Sequence, residues 1–468
     1  MIAVNRYRSE AWIPLSLGIW SAAIVLAPGG TARLAIALPV LLMAIGWWSI
    51  LRPGRWLMLF FATALLTPPL PLPGGDSGVH LAPFVAILGF VAAAIRMPDW
   101  RPAASKLTVA YGIFLAVLFF SSCIAMLYSG GPVAAGSLTR VLLFSLSVFV
   151  FWYAACGPDN PPRNPFGLTK FLFFTAVIAA LFGCADFYFQ FPAPAGFEEQ
   201  FVWLDEGVVR RAQGLFYEAS TFGNFCAFFL VMILVALWRP REHAPVSRFS
   251  LAFGGIVFSA ALILSYSRAS LLNIAVACIA LALLRRVRIA RTALFAGIAV
   301  VIAILVVRTA LPSFSASYWS RVAGSLQFFW SSPDGVLSGR VTSWRFLLDF
   351  LLREPWHVLF GIGYKTLPYS RFAGAAVIAD NTYLSLLVET GVIGLVSFVA
   401  LNVAMIRGAL RAASSPGPRA VFFGEWFLCF WAGETVQMFS GDLITYWRVL
   451  PVYFWVLGTA IRQAERKA

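Results

Sequence analysis

The sequence predicts an all-α protein that crosses a membrane many times. Sixty per cent of its residues are hydrophobic and only 12% are charged. A soluble chain of 468 residues could not bury that much apolar surface. Runs of about 20 apolar residues recur along the chain, which suits helices that span a bilayer. The segments of about ten alternating residues that are typical of a membrane β-barrel are absent from the sequence.

The apolar runs predict about fourteen transmembrane helices. Their approximate bounds are 12–28, 34–51, 56–70, 80–96, 107–128, 139–156, 169–189, 217–238, 249–266, 268–284, 292–308, 381–406, 420–440 and 447–462. We expect four regions along the chain. They are N-terminal helices that form a scaffold and a lipid groove (1–189), a loop with core helices (190–308), a large hydrophilic loop (309–380) and C-terminal helices (381–468).

The distribution of charge predicts the orientation. The chain has a formal net charge of +15, and most Lys and Arg residues lie in alternate short loops and in both termini. Because cytoplasmic loops are enriched in basic residues, both termini are expected in the cytoplasm. The positive charge is thus explained by topology, and we expect no nucleic-acid partner.

No metal or other cofactor is expected from the sequence. The six cysteines all fall within apolar runs, which favours buried thiols over disulfides or metal clusters. The three histidines lie far apart, in different loops.

Three polar stretches are expected to share the outer side of the membrane. They are RRAQGLFYEAS (210–220), SYSRAS (265–270) and the stretch from GRVTSW (339–344) to the helix that follows ADN (379–381). Within the large loop, residues 337–353 have the apolar spacing of an amphipathic helix that lies along the membrane surface. The charged residues that these outer stretches contribute are Arg210, Arg211, Glu218, Arg268, Arg340, Lys365, Arg371 and Asp380.

Arginines with a few carboxylates at a membrane surface suit an anionic, lipid-linked substrate. A guanidinium binds phosphate oxygens through two parallel donors and keeps its charge at any physiological pH. A nearby carboxylate can accept a proton from an attacking hydroxyl.

Five short motifs in this region together resemble the superfamily of O-antigen ligases and polymerases. In chain order they are R-x-x-G-x-F-x-E from Arg211 to Glu218, S-x-S-R ending at Arg268, R-x-x-x-W from Arg340 to Trp344, G-x-G at 361–363, and N-x-Y-L-x-x-L-x-E-x-G-x-x-G from 381 to 394. The resemblance covers roughly residues 205–400.

The resemblance implies a bacterial inner-membrane glycosyltransferase of the C-type (GT-C) fold with a periplasmic active site. Its partners would be a polyprenyl-diphosphate-linked glycan donor, such as an undecaprenyl diphosphate glycan, a glycan acceptor and membrane lipids, and further candidate partners are a chain-length regulator and export machinery. Arg268 and Arg340 would hold the diphosphate. The full set of candidate residues comprises the catalytic group Asp380, Glu218, Arg268 and Arg340, the diphosphate ligands Arg268, Arg340, Arg211 and Arg210, and the secondary residues Asn381, Tyr383, Lys365 and Arg371.

One position departs from the ligase pattern. Ligases of this superfamily usually have histidine directly before the asparagine, where this chain has Asp380. A carboxylate can still act as a base, so the transfer chemistry is retained. The missing histidine weakens the resemblance to ligases, and we therefore expect a polymerase that joins lipid-linked repeats of surface or exported polysaccharide. The alternatives are a ligase that transfers glycan to the lipid A core and a transporter or flippase for a lipid-linked sugar.

Each candidate residue also has a structural alternative. Arg268 could simply extend to water from a helix end, and Arg340 could pack on Trp344 as a cation–π pair. Asp380 and Glu218 each precede a helix, where Asp380 could act as an N-cap and Glu218 could be favoured by the helix dipole. Arg210 and Arg211 could balance the acids of their own loop.

Overall fold

The computed structural model describes most of the chain. The described residues are 18–28, 54–70, 79–97, 105–157, 166–193, 197–204, 207–285, 339–370 and 377–465, together with single residues at 33, 36, 44, 46, 47, 100, 309, 316, 319, 320, 323, 324, 327, 331, 334, 372 and 374. The expected spans at 34–51 and 292–308 lie largely or wholly outside them.

The described part of the chain is almost entirely helical. After a helical segment at 18–26, the helices are α1 Arg55–Leu66, α2 Leu81–Ile95, α3 Lys106–Ser129, α4 Gly131–Cys156, α5 Phe166–Phe189, α6 Ala219–Leu237, α7 Arg248–Leu264, α8 Arg268–Arg285, α9 Arg340–Leu351, α10 Pro355–Phe360, α11 Thr382–Ala413, α12 Pro418–Gln437 and α13 Leu450–Glu465. The protein is a polytopic, all-α membrane protein, as the composition predicts.

The prediction of fourteen spans is wrong. Among the described residues, six helices are long and apolar enough to cross a bilayer, namely α3, α4, α5, α6, α8 and α11. Three further apolar helices are shorter, and the 12 residues of Arg55–Leu66 extend only about 18 Å at 1.5 Å per residue. The expected span at 420–440 is a helix that carries Glu425 and Glu434, and the last helix has only 16 residues.

One small element was not foreseen. Phe201–Leu204 (β1) and Gly207–Arg210 (β2) form a two-stranded antiparallel hairpin inside the loop that precedes α6. Its register pairs Phe201 with Arg210. Arg210 is the last residue of β2, so the hairpin sets the positions of Arg210 and of the adjacent Arg211.

Aromatic and aliphatic side chains fill the core between the C-terminal helices. Helix α13 packs along α4, α12 packs along α8, and α11 lies between α3 and α12. At the centre, Phe228, Trp426 and Tyr453 are fully buried. The Phe228 ring packs against Trp426 and Tyr453, with ring centroids 4.6 Å and 4.3 Å apart. This rigid core fixes the helix ends that carry the candidate site.

Helix α11 is kinked at Gly391, where φ is 69°. A Cβ atom at this position would lie 2.2 Å from the Leu359 carbonyl oxygen, and one at Gly361 would lie 2.3 Å from the Glu389 carbonyl carbon. Both glycines are therefore required by the close approach of α10 to α11. The G-x-G motif at 361–363 packs two backbones together, in agreement with a structural reading of these glycines.

Candidate active site

The candidate residues gather at one end of the helix bundle. Helix α7 ends at Leu264 and α8 begins at Arg268, so SYS (265–267) forms the turn between them. Helices α6 and α11 begin at the same end, directly after Glu218 and Asn381. The opposite end holds a separate group of charges, in which Arg239 and Arg285 contact the Glu425 carboxylate.

The stretch from 211 to 216 is folded against the α7–α8 turn. The Ala212 N–H donates to the Leu264 carbonyl at 3.0 Å, and Arg211 Nε donates to the Ser265 carbonyl at 2.8 Å. Gly214 has a φ of 56°, and its N–H donates to Asp186 Oδ2 at 3.2 Å. Two motifs that are about 50 residues apart in the sequence therefore touch directly.

The charges around Arg211 show which candidates are close to it. Burial lowers the pKa of the Arg211 guanidinium below its usual value, Glu218 and Tyr446 raise it, and the positive charges of Arg268 and Arg340 lower it. Electrostatic interactions between side chains weaken with distance and are screened by salt. Three arginines and one carboxylate from the predicted set therefore share one site.

Arg268 is the first residue of α8 and is half-buried. The Ser267 hydroxyl accepts the N–H of Ser270 at 3.3 Å, which caps the first turn of the helix. Ser265 and Ser267 are buried. The two serines of S-x-S-R thus shape the turn that presents the arginine.

Arg340 and Asp380 form an ion pair between α9 and the start of α11. Arg340 Nε and Nη2 lie 3.1 Å and 3.0 Å from Asp380 Oδ2. Trp344, one turn further along α9, donates its indole N–H to the Ala379 carbonyl at 2.7 Å. The R-x-x-x-W motif therefore holds the segment that carries Asp380, and the indole does so through this hydrogen bond rather than through the cation–π contact with Arg340 considered as an alternative.

Asp380 has a left-handed backbone, with φ at 44°. The helix cap is the next residue, since Asn381 Oδ1 accepts the N–H groups of Tyr383 and Leu384 at 3.0 Å and 3.1 Å. The alternative in which Asp380 serves as the N-cap is therefore wrong. A strained conformation at an exposed carboxylate that does not cap its helix is typical of functional sites.

Glu218 lies directly before α6 and is half-buried. Its Oε2 accepts the hydroxyl of Ser220 at 2.6 Å. Burial raises the pKa of the Glu218 carboxyl and Asp380 raises it further, against the opposing effects of Ser220, Arg211 and Lys365. This carboxyl therefore titrates closer to neutral pH than an ordinary glutamate.

Arg210 points away from the other arginines. Its guanidinium is buried and lies 3.2 Å from both Asp186 Oδ1 and Glu199 Oε1. Glu199 belongs to the same loop, so this geometry agrees with the charge-balancing alternative. Arg211 and Arg210 are adjacent in the sequence, but only Arg211 faces the α7–α8 turn.

Lys365 belongs to a buried charge cluster beside the site. Its ammonium contacts Asp442 Oδ2 and lies 4.0 Å from Glu389 Oε2. Ser385 donates to Glu389 Oε2 at 3.0 Å. Burial lowers the pKa of Lys365 to about 8, with Glu389 and Glu218 opposing the shift and Arg140 adding to it.

The remaining secondary residues have structural contacts or lie outside the described part. Asn381 caps α11, and the Tyr383 hydroxyl donates to the Thr435 carbonyl at 2.9 Å. Arg371 lies outside the described residues. In the part of the chain that is described, no three His, Cys, Asp or Glu side chains are placed to hold a metal ion.

Sequence reasoning missed two residues near the site. Asp442 lies in a short loop after α12 that matches none of the motifs, and Arg140 lies in α4, where its guanidinium is 4.4 Å from the Tyr369 ring centroid. Arg140 carried a weak signal, since it is a charge within an apolar run. Asp442 carried no sequence signal, because its contact with Lys365 depends on the folded arrangement of two distant segments.

Part of the chain matches the sequence model of a known protein family. A search of curated protein sequences finds no significant relative. Residues 253–399 match the sequence model of the family described as O-antigen ligase. The matched range includes Arg268, Arg340 and Asp380, whereas Glu218, Arg211 and Asp442 lie outside it. This segment of the chain is therefore similar to an O-antigen ligase family domain.

Proposed function

We propose that the protein is a polysaccharide polymerase that joins polyprenyl-diphosphate-linked oligosaccharide repeats at the periplasmic face of the inner membrane. The observation that carries this proposal is the convergence of Arg211, Arg268 and Arg340 beside two carboxylates at one end of the bundle. Three guanidinium groups can neutralise a diphosphate, which suits a lipid-linked donor whose leaving group is anionic.

The proposed reaction is a direct transfer of glycan. The acceptor hydroxyl attacks the anomeric carbon of the donor sugar, the bond from that carbon to the diphosphate oxygen breaks, and the hydroxyl proton passes to a carboxylate. Negative charge accumulates on the departing diphosphate in the transition state. Donors aimed at that position therefore accelerate the reaction, and Arg268 and Arg340 are assigned this role.

Of the two carboxylates, Glu218 is the better base. A general base is most effective when its pKa lies near the working pH, and the pKa of Glu218 is raised. Asp380 is engaged by Arg340 through two donors. We assign Asp380 the task of orienting that guanidinium beside the reacting carbon.

An apolar groove offers a place for the lipid part of the donor. It lies between α3 and α11, has a volume of about 310 Å³ and is lined by Ile113, Val117, Phe120, Phe360 and Ile393 among others. Ser121, also in the lining, donates to the Glu389 carbonyl at 3.0 Å, so the groove adjoins the buried charge cluster. A polyprenyl chain is apolar, like the side chains that line this groove. This supports the proposal that the N-terminal helices form one wall of a lipid groove.

Arg268→Lys tests the proposed function. Lysine keeps the charge but loses the planar fork, so chain extension by the full-length protein should fall at least about 100-fold at unchanged abundance. The assay is extension of lipid-linked repeats extracted from cells that lack the gene. Near-normal extension by the variant, at normal abundance, would contradict the role of this arginine.

The second candidate is an O-antigen ligase, which the description of the matched family favours. Deletion of the gene separates the two activities. Loss of a polymerase leaves single repeats on the lipid carrier, whereas loss of a ligase leaves full-length chains on polyprenyl diphosphate. Sizing the lipid-linked and released glycans of the deletion strain distinguishes these outcomes.

A further inference from the structure

The strained Asp380 is attached to a segment that lies outside the family match. Residues 438–443 follow α12 and pass beside the first turn of α11. This stretch, the clamp segment, contributes none of the sequence motifs. It makes several hydrogen bonds to residues just after Asp380.

Thr382 is the centre of this attachment. Its N–H donates to the Met438 and Gly441 carbonyls at 2.8 Å and 3.1 Å. Its hydroxyl donates to the Gly441 carbonyl at 2.8 Å and accepts the Leu443 N–H at 3.1 Å. The side chain is fully buried, so water cannot replace these partners.

A second contact strengthens the attachment one turn further along α11. Ser385 donates to Asp442 Oδ2 at 3.4 Å, and the same oxygen contacts the ammonium of Lys365. The clamp segment therefore joins the start of α11 to the loop that carries Lys365. Both connections lie next to the candidate site.

The clamp has a specific task because Asp380 is strained. A non-glycine residue with a φ of 44° needs surrounding structure to hold it. The Arg340 ion pair is half-exposed and cannot do this alone. Trp344 holds the residue before Asp380 through the Ala379 carbonyl. Thr382, two residues further on, is the fully buried point that holds the backbone after Asp380.

We infer that Thr382, held by the clamp segment 438–443, is a positioning residue for the transfer reaction. Thr382 fixes the position of the Asp380 backbone. Because Asp380 pairs with Arg340, it thereby fixes the position of the Arg340 guanidinium relative to Arg268. This inference rests on the proposed function, since it assigns a geometric cause to the activity of the same site.

Thr382→Val tests the inference, because valine keeps the shape and removes the hydroxyl. With full-length protein and the lipid-linked repeat extracted from cells lacking the gene, kcat should fall at least about tenfold while KM changes less than about threefold. Thr382→Ser restores the hydroxyl and should return kcat to within about threefold of wild type. The matched control is Thr63→Val, a buried threonine of α1 whose hydroxyl bonds only within its helix, and it should leave kcat within about twofold.

The outcomes separate the clamp from the proposed function. If Thr382→Val extends glycan at the wild-type rate while Arg268→Lys is inactive, the positioning role is rejected and the arginine site stands. Full activity of Arg268→Lys rejects the arginine site itself. If Thr382→Val fails to accumulate, Ser385→Ala decides, because it removes the second contact with the clamp segment and leaves the Lys365–Asp442 ion pair in place. A kcat at least about threefold below wild type supports the clamp, and a wild-type kcat overturns it.

Discussion

Arg340→Lys should separate the stability of the protein from its activity. In the folded protein, Arg340 Nε and Nη2 lie 3.1 Å and 3.0 Å from Asp380 Oδ2, and the two side chains are 27% and 44% exposed. An ion pair that is this exposed contributes about 0.2–1 kcal/mol to folding. Lysine retains the charge, so the free energy of unfolding should fall by less than about 1 kcal/mol.

The expected effect on turnover is much larger. Lysine presents one ammonium where arginine presents a planar pair of donors, so it cannot hold a carboxylate and a diphosphate oxygen in the same geometry. Loss of one donor to a developing negative charge costs about 2.7–4 kcal/mol, or roughly 100- to 1,000-fold in turnover. The transition-state effect therefore exceeds the stability effect several-fold.

The two quantities can be measured on the same preparation. Thermal unfolding in detergent reports stability, and extension of extracted lipid-linked repeats reports turnover. A melting temperature within a few degrees of wild type, with activity reduced at least about 100-fold, is the expected result. Turnover within about threefold of wild type, or a large loss of stability, would refute the reasoning.

Arg239→Lys is the matched control at the other end of the bundle. Arg239 and Glu425 are buried, with side-chain exposures of 8% and 9% and a distance of 2.9 Å. Arg239 also donates to the Pro418 carbonyl at 2.8 Å. This variant should lose more stability than Arg340→Lys, because removing a hydrogen-bond partner from a buried charge raises the free energy of the folded state. Turnover per folded molecule should stay close to wild type.

Two further predictions concern the proton chemistry of the site. Glu218→Gln should reduce turnover at least about 100-fold, more than Asp380→Asn, because the amide cannot accept the proton of the acceptor hydroxyl. The reverse order in extension assays would make Asp380 the base. The pH–rate profile should have an acid limb above the usual glutamate range, since the pKa of Glu218 is raised and its protonated form is inactive. It should decline above a pH of about 8, where Lys365 loses its charge and its ion pair with Asp442, and Lys365→Arg should move this decline to higher pH. A profile that is flat from pH 5 to 9 would contradict both assignments.

The positions of most helices could be predicted from the sequence, because a bilayer forces long apolar runs into helices. The number of spans could not. The run at 56–70 forms only a 12-residue helix, since its Pro-rich end cannot continue one. The run at 420–440 contains Glu425 and Glu434, whose buried partners on other helices are invisible in a local pattern.

The site was predictable where a motif carries the charge. Arg268, Arg340 and Asp380 were identified from short motifs, and the structure brings Arg340 and Asp380 into contact. One alternative made Asp380 the N-cap of α11, whereas the cap is its neighbour Asn381. The choice between the two depends on a left-handed backbone angle at Asp380 that the sequence does not reveal. Asp442 was missed because its importance comes from a contact across the fold.

The proposed function requires Arg268 and Arg340 to bind the same diphosphate. A cryo-electron microscopy structure of the full-length protein with undecaprenyl diphosphate tests it most directly. We expect the diphosphate oxygens within hydrogen-bond distance of both Arg268 and Arg340, with the lipid chain in the groove beside Phe120 and Ile393. A diphosphate bound elsewhere, in contact with neither guanidinium, would contradict the account.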